Sequence, residues 1–312
     1  MLFLSYFVRH SYRFARGSLI SFWDVLVFGI LMTGLVFGNT VWGAPDDEDS
    51  SLPEPVVFLE QVRKHAITDQ LLLSQYTYIE TRTRIAKGEP DEVTTEVRQI
   101  YPAANPEDTY RRLLSVNGEP LSEKDVTEQV RKRRNQLAKR ARKLAGETIT
   151  ERDQRLKEAA QAQSEEKELF EEMLTLFDFQ LLRRENLAGH STIAVSFIPR
   201  PDAKPRTRRG TMFSKSRGLL WVSEEDYKVV RVEAETVEDV KIGWGLIALM
   251  HKGLSFTLNY RKVNDEIWLP SHLRMLGSGR KFLFKSFRFE RRTEYSDFKK
   301  LTENKTVDAL LQ

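Results

Sequence analysis

The residues best suited to metal binding or proton transfer are five histidines, His10, His65, His190, His251 and His272, and no two of them stand at metal-ligand spacing. None sits in an acidic cluster, so they read as surface or core histidines. The chain has no cysteine, which excludes disulfides, Cys-ligated zinc, a thiol nucleophile and a lipidated N-terminal Cys. It has neither a G-x-S-x-G nucleophile elbow nor a phosphate-cradling P-loop. Carboxylates are abundant, but they mostly alternate with Lys and Arg as solvated faces do, and nothing in their spacing points to a glycosidase pair, so a hydrolase with a carboxylate site stands only as the third reading. Gly243-Trp-Gly245-Leu-Ile-Ala248 matches a G-x-G-x-x-A dinucleotide fingerprint, with Asp265 downstream. The preceding strand carries Glu233, Glu235 and Glu238, whereas the central parallel strand of such a site is apolar on both faces. No catalytic residue, cofactor or metal is expected.

Charge and aromatic content say more. Lys and Arg total 49 against 45 Asp and Glu, a net charge of +4. Arg9, Arg13 and Arg16 against Asp24 supply half of that surplus, so no nucleic-acid partner is expected. Two basic stretches, Arg131–Lys143 and Lys204–Arg209, read first as a solvated helix face and a loop. Their second reading is a surface for anionic lipid headgroups or an envelope protein. Aromatic residues crowd the C-terminal half: Phe213, Trp221, Tyr227, Trp244, Phe256, Tyr260, Trp268, Phe282, Phe284, Phe287 and Phe289. A curved sheet with that lining either packs on helices as a solid core or leaves a greasy cavity for an acyl chain. Both readings stand at this point.

The elements that position these residues are legible in outline. Basic Arg9, Arg13 and Arg16, an uncharged run from Val25 to Phe37 and small residues at Gly43-Ala44 describe a signal peptide over 1–43. The alternative is an uncleaved anchor over 19–41, where Asp24 is the one charge. Either way the mature chain is expected in the bacterial periplasm. Residues 44–55 read as an acidic, Pro-rich linker, and Val56, Leu59, Val62 and Ala66 mark an amphipathic helix. Within 56–121, a polar β-hairpin is expected over 76–101 around Gly88–Asp91, followed by a strand ending at the turn Asn117-Gly118.

Residues 122–185 read as a charged helical insertion, with capping boxes at Ser122–Asp125 and Thr150–Asp153 and a break at Gly146. From 186 to 300 the pattern is β, with strands expected at 191–198, 211–214, 219–223, 228–237, 254–263, 266–275 and 282–292. Leu254, Phe256, Leu258 and Tyr260 alternate with polar residues, as do Val230, Val232 and Ala234, so the sheet is expected to be antiparallel with one apolar face. A change of parity between Phe282/Phe284 and Phe287/Phe289 predicts a bulge there. The glycine-flanked segment Trp244–Met250 reads as a short apolar helix, and 301–312 as a tail.

Gly218-Leu-Leu-Trp221-Val222-Ser223-Glu-Glu-Asp226-Tyr227 running into Val229–Glu233, with Trp268-Leu-Pro270-Ser271 later, resembles the LolA/LolB-like outer-membrane lipoprotein-sorting superfamily, which includes RseB-type sensors and lipid carriers. The resemblance covers roughly 75–117 and 178–300, and it implies an α+β fold, a curved antiparallel half-barrel closed by helices over a hydrophobic cavity. The helices over 122–177 match no part of the small carriers, and the missing Cys means that the chain is not itself a lipoprotein of the LolB kind. The implied role is a non-enzymatic carrier of an acyl chain, lipid or lipoprotein. Val230, Val232, Leu254, Phe256, Leu258, Tyr260, Phe282 and Phe284 are expected to line the cavity. Trp244, Leu246, Ile247, Leu249 and Met250 are expected to form a lid or touch the membrane. The rival reading is an envelope sensor or interaction module whose half-barrel is packed solid.

Overall fold

Val-, Thr- and aromatic-rich segments with period-two alternation pair into one antiparallel sheet, and two charged, well-capped segments form long helices. The computed structural model describes residues 51–66, 75–88, 90–102, 109–242, 248–281 and 285–301, and only the backbone of 158, 159, 161–170, 208, 209 and 242. The elements in chain order are α1 (Pro55–Ala66), β1 (Tyr76–Ala86), β2 (Glu92–Tyr101), β3 (Tyr110–Val116), β4 (Glu119–Pro120), α2 (Glu123–Ala145), α3 (Ile149–Leu176), β5 (Phe177–Leu187) and β6 (His190–Pro199). They continue with α4 (Arg208–Phe213), β7 (Ser216–Ser223), β8 (Val229–Thr236), β9 (Val240–Ile242), β10 (Ala248–Met250), β11 (Ser255–Val263), β12 (Ile267–Lys281) and β13 (Lys285–Lys300).

The strand order is β4-β3-β2-β1-β13-β12-β11-β8-β7-β6-β5, with β10 pairing β12 and β9 beside that path. The sheet does not close. Its two edge strands, β4 and β5, are consecutive in the chain, so α2 and α3 carry the polypeptide from one edge to the other. Laid flat, strands at about 4.8 Å spacing would spread far beyond the reach of one short helix. Yet Tyr78 of β1, Tyr295 of β13, Leu273 of β12, Val232 of β8 and Leu181 of β5 share one buried cluster with Phe58 and Val62 of α1. The sheet therefore curls around α1, giving the expected α+β half-barrel.

Local chemistry sets the boundaries. Asn117 and Gly118 take φ of 51° and 86°, the left-handed pair that a tight hairpin between β3 and β4 requires. Ser122 caps α2 by accepting from the Asp125 amide, and the Gly146 amide closes its C-terminus on the Arg142 carbonyl. The cap of α3 is Thr148 rather than Thr150, because Glu151 is placed to bond back to the Thr148 amide and complete the box. The helical connection ends at Leu176, so residues 177–185 are strand and not part of a helical segment reaching 185.

Three further expectations are corrected. The segment 211–214 is not a strand; Thr207 accepts from the Gly210 amide and starts the short helix α4 there. The Trp244–Met250 helix is not seen, since Ala248–Met250 form β10, hydrogen-bonded to β9 and to Gly279–Lys281 of β12. Gly279 is what admits that strand: a Cβ there would lie 2.3 Å from the Leu249 carbonyl oxygen. No bulge follows Phe284: β12 and β13 keep one register from His272↔Glu294 to Lys281↔Lys285. The rings of Phe287 and Phe289 instead pack against their partners Gly279 and Gly277. The register shift of β13 falls opposite β1, where Asp297 adopts φ of 53°. Phe282, Phe284, Trp244, Leu246, Ile247 and the segment 1–50 lie outside the described residues.

The helices touch the half-barrel near their ends. No residue of α2 is buried. Gln129 spends its amide on the free edge of β3, accepting from the Leu113 amide at 2.7 Å and donating to the Leu113 carbonyl at 3.1 Å. It takes the place of a neighbouring strand and blocks edge pairing. Arg133 lies 4.8 Å over the Tyr110 ring. At the far end Met173 and Leu176 of α3 enter the core. Replacing residues 137–165 by a flexible linker should therefore leave unfolding cooperative, with Tm within a few degrees of the parent. Extending the excision back to 128 removes Gln129 and should speed hydrogen exchange at the Leu113 amide. Loss of cooperativity in the shorter excision would show that the middle of the helices belongs to the core.

Candidate functional site

The concave face is best read along its registered rows. One row runs Glu96 (β2), Arg82 (β1), Thr293 (β13), Leu273 (β12), Leu258 (β11), Val232 (β8), Leu220 (β7) and Val195 (β6). The next runs Arg84, Arg291, Met275, Phe256, Ala234, Gly218 and Phe197 over β1 to β6. The first row is charged on β2 and β1 and polar at Thr293 on β13, the second is charged at Arg84 on β1 and Arg291 on β13, and both are free of charged side chains from β12 onward. The trough is thus divided lengthwise into a charged half and a greasy half.

The greasy half holds most of the expected lining. Val230, Val232, Phe256, Leu258 and Tyr260 are buried in one cluster with Phe58 and Val62 of α1. Leu254 is buried too, but in a separate cluster with Val240 and Met250 near the β10 end. Leu249 and Met250 stand on β10, with Met250 in that same small cluster and Leu249 half-buried. Among the described residues, the helix α1 packs on the apolar trough through Phe58 and Val62.

The motifs that carried the resemblance hold α1 in place. Asp226, in the turn between β7 and β8, accepts from the Trp268 indole at 2.8 Å and lies 3.1 Å from the Lys262 ammonium. Burial pushes the Asp226 carboxyl up, but the Trp268 hydrogen bond and the Lys262 ammonium outweigh it and hold it below the usual carboxylate range. The next residue, Tyr227, packs its ring against Phe58 at 5.7 Å and His65 at 5.5 Å. Lys228 donates to the His65 carbonyl at the end of α1. The acidic turn and the Trp-Leu-Pro strand are therefore two sides of one latch over the helix.

The charged half was not anticipated. The alternation in β1 offers Ile79, Thr81, Thr83 and Ile85 on one face and Glu80, Arg82 and Arg84 on the other, and apolar patterning favours the first as the inward face. The fold turns the second inward: Glu80 and Arg82 are each 2% exposed. The available signal was Tyr78, which shares their parity and belongs to the core. Arg82 meets Glu80 at 2.9 Å and Arg98 meets Glu96 at 2.8 Å. Arg98 and Arg111 stand 3.9 Å and 3.7 Å from Glu80, and Arg84 3.4 Å from Glu96.

The basic sequences lie elsewhere. The side chains of Arg131, Lys132 and Arg134 are exposed on α2, with Arg131 and Lys132 paired to Glu128. The Lys204–Arg209 loop is pinned from below by Glu172, 1% exposed, which accepts from the Arg206 and Thr207 amides and the Thr207 hydroxyl. His190 packs edge-on against Trp268, and His251 lies 3.6 Å from Asp239. Among the described residues no three His, Asp or Glu side chains gather as a metal site would.

No family model matches the chain, and no curated protein matches it. Among solved structures, a DUF1329 family protein from Desulfovibrio piger is similar at 11% identity and a TM-score of 0.31, covering 82% of this chain and 96% of that one. A putative outer membrane lipoprotein-sorting protein domain from Vibrio parahaemolyticus is similar at 13% identity and a TM-score of 0.31, covering 81% and 97%. A LolA superfamily protein from Nitrosomonas europaea is similar at 11% identity and a TM-score of 0.28, covering 82% and 96%. The chain is thus similar to solved structures of the LolA and lipoprotein-sorting kind, and its own strand order makes it an open antiparallel half-barrel with α1 in the trough.

Proposed function

We propose that this chain is an exported, non-enzymatic protein of the cell envelope that holds an acyl chain, of a lipid or a lipoprotein anchor, along the apolar half of its half-barrel. One observation carries the reading: a continuous apolar row from β12 to β6 lies in one buried cluster to which the twelve-residue helix α1 contributes Phe58 and Val62, with Leu59 half-buried against it, beside Met173 and Leu176 of α3 and Phe213 of α4. An acyl chain that displaces the Phe58 and Val62 side chains gains about 0.8 kcal/mol per buried methylene, so a long chain offsets the loss of their packing with no polar chemistry. The Asp226–Tyr227–Lys228 turn is the catch that α1 must leave. Residues 1–43 are read as the signal that delivers the chain to the periplasm, with an anchor over 19–41 as the alternative. No helix among the described residues is long and apolar enough to cross a membrane. The exposed basic residues of α2 supply a surface for an anionic membrane or an envelope protein.

Native mass spectrometry of the protein purified from membranes tests this. A stoichiometric lipid adduct, on a chain starting at Ala44 or Pro45, is the expected result. A second reading, an envelope interaction module with a packed half-barrel, is favoured by the complete burial of Val232 and Leu258 beneath α1. No adduct, together with no rise in Tm on adding an acyl amphiphile, would decide for that module.

A further inference from the structure

Residues 131–157 carry eleven Lys and Arg against three Asp and Glu, a surplus of eight in a chain whose whole surplus is four. They span the C-terminal half of α2, the connection at Gly146–Thr148 and the first turns of α3. Local pairing answers little of that charge. Arg131 and Lys132 meet Glu128, and Arg155 meets Glu147. Arg134, Lys139, Arg142, Lys143, Arg152 and Lys157 make no ion pair among the described residues. The fold does not cover this elbow either: from Ala138 to Lys157 every residue but Glu147 is exposed. Its large apolar side chains stand in water, with Leu144 41%, Ile149 81% and Leu156 49% exposed. Crowded like charges repel, and exposed Leu and Ile forgo burial, so a partner that is anionic at its surface and apolar beneath relieves both costs.

The spacing fits a lipid surface better than a protein groove. On α2, Leu137, Ala141 and Leu144 follow at i, i+4 and i+7 and form one stripe, while Lys132, Lys139 and Lys143 fall on the far side. On α3, Ile149 and Leu156 are two turns apart on one face. Basic amphipathic helices of this kind settle between anionic headgroups and acyl chains. Leu144, Ile149 and Leu156 are separated by charged residues, so they do not form the continuous apolar centre that a protein interface buries, but each can enter a lipid interface singly. The ties of α2 to β3, at Gln129 and Arg133, lie before the elbow, so membrane contact leaves them intact. We propose that the elbow between α2 and α3 docks on an anionic phospholipid surface, its cations on the headgroups and Leu144, Ile149 and Leu156 in the interface. This rests on the docking surface proposed above for α2 and is independent of the acyl-chain function.

Vesicle co-sedimentation of the mature chain tests it, with phosphatidylcholine alone and with about 30 mol % phosphatidylglycerol added. The anionic vesicles should bind at least about tenfold more tightly, and raising salt from about 0.1 M to about 0.5 M should remove most of that preference. Lys139→Gln with Arg142→Gln and Lys143→Gln should weaken binding to them about a hundredfold, at about fivefold per cation, with the Tm unchanged because all three side chains are exposed. Leu144→Ser with Ile149→Ser should weaken it about tenfold. The chain has no cysteine, so Ile149→Cys carries a single nitrobenzoxadiazole label, whose emission should brighten and shift to the blue on the anionic vesicles. If the serine variant unfolds, that label still reads the insertion. A label that stays in water on bound protein would overturn it. Equal binding to both vesicles, or binding to neither, would overturn the docking and leave the elbow to an acidic envelope protein. A lipid adduct in native mass spectrometry would survive that outcome, whereas vesicle docking without an adduct would keep this inference and remove the acyl-chain function.

Discussion

Replacing Phe256 by aspartate is expected to lower stability by about 4 kcal/mol and to abolish retention of an acyl probe. The ring is 9% exposed and lies in register between Met275 of β12 and Ala234 of β8, in the middle of the greasy half. Removing it costs about 3–5 kcal/mol by analogy with other buried aromatic truncations, and a carboxylate at that place adds desolvation unless water enters. A domain of this size has roughly 5–15 kcal/mol in reserve, so the variant sits near the edge of folding. Phe256→Leu keeps the wall apolar and should cost only about 1 kcal/mol while retaining the probe. Denaturant unfolding read against probe fluorescence separates the two effects. An unchanged Tm in the aspartate variant would place the ring at a hydrated surface, contrary to its packing. An aspartate variant that unfolds, in a protein that never carries lipid, would favour the packed interaction module.

The other large effect is expected at Glu172, buried where α3 meets the 204–209 loop. Burial alone would raise its carboxyl, but the Thr207 hydroxyl, the Thr207 and Arg206 amides and the Arg206 charge bring it below the ordinary glutamate value of 4.5. A depressed folded-state value means that the ionised group stabilises the fold above that ordinary value. The contribution is lost as pH falls through the lower, folded-state value. Glu172→Gln should therefore be about 2 kcal/mol less stable than the parent at pH 7. The gap should narrow as pH falls below the ordinary glutamate value, because the parent then carries a neutral side chain too. Urea unfolding of both proteins between neutral and acid pH measures it. A gap independent of pH would show that shape rather than charge holds the loop. Gly210 is part of the same fit: a Cβ there would lie 2.4 Å from the Glu172 Oε1 atom, so the carboxylate occupies the space that glycine leaves.

The division between what was readable in the chain and what was not follows the range of the forces involved. Hairpins announced themselves because a two-residue turn is a local problem: Asn117-Gly118 is the pair that tolerates positive φ, and both residues adopt it. The helix ends at Ser122 and Gly146 were equally local, each decided by a side chain or an amide within four residues. The apolar row of β8 and β11 followed from period-two alternation, which fixes the buried face once one face is plainly greasy.

Where the local signal was shared between two outcomes, tertiary structure decided. Ala248–Met250 became strand because Gly279, thirty residues on, leaves room for a backbone against β12, which no window around residue 248 reveals. The inward face of β1 is the clearest instance. Its two faces are Ile/Thr and Glu/Arg, and local hydrophobicity picks the first. Closure onto Tyr295 and Thr293 of the last strand fixes the parity through Tyr78, and so brings Glu80 and Arg82 inside. Composition and alternation alone determined an antiparallel, wet-faced sheet with helices between its strands. That half of the trough is greasy and half ionic is a property of registers joining residues more than two hundred positions apart, and those were set by the three-dimensional packing.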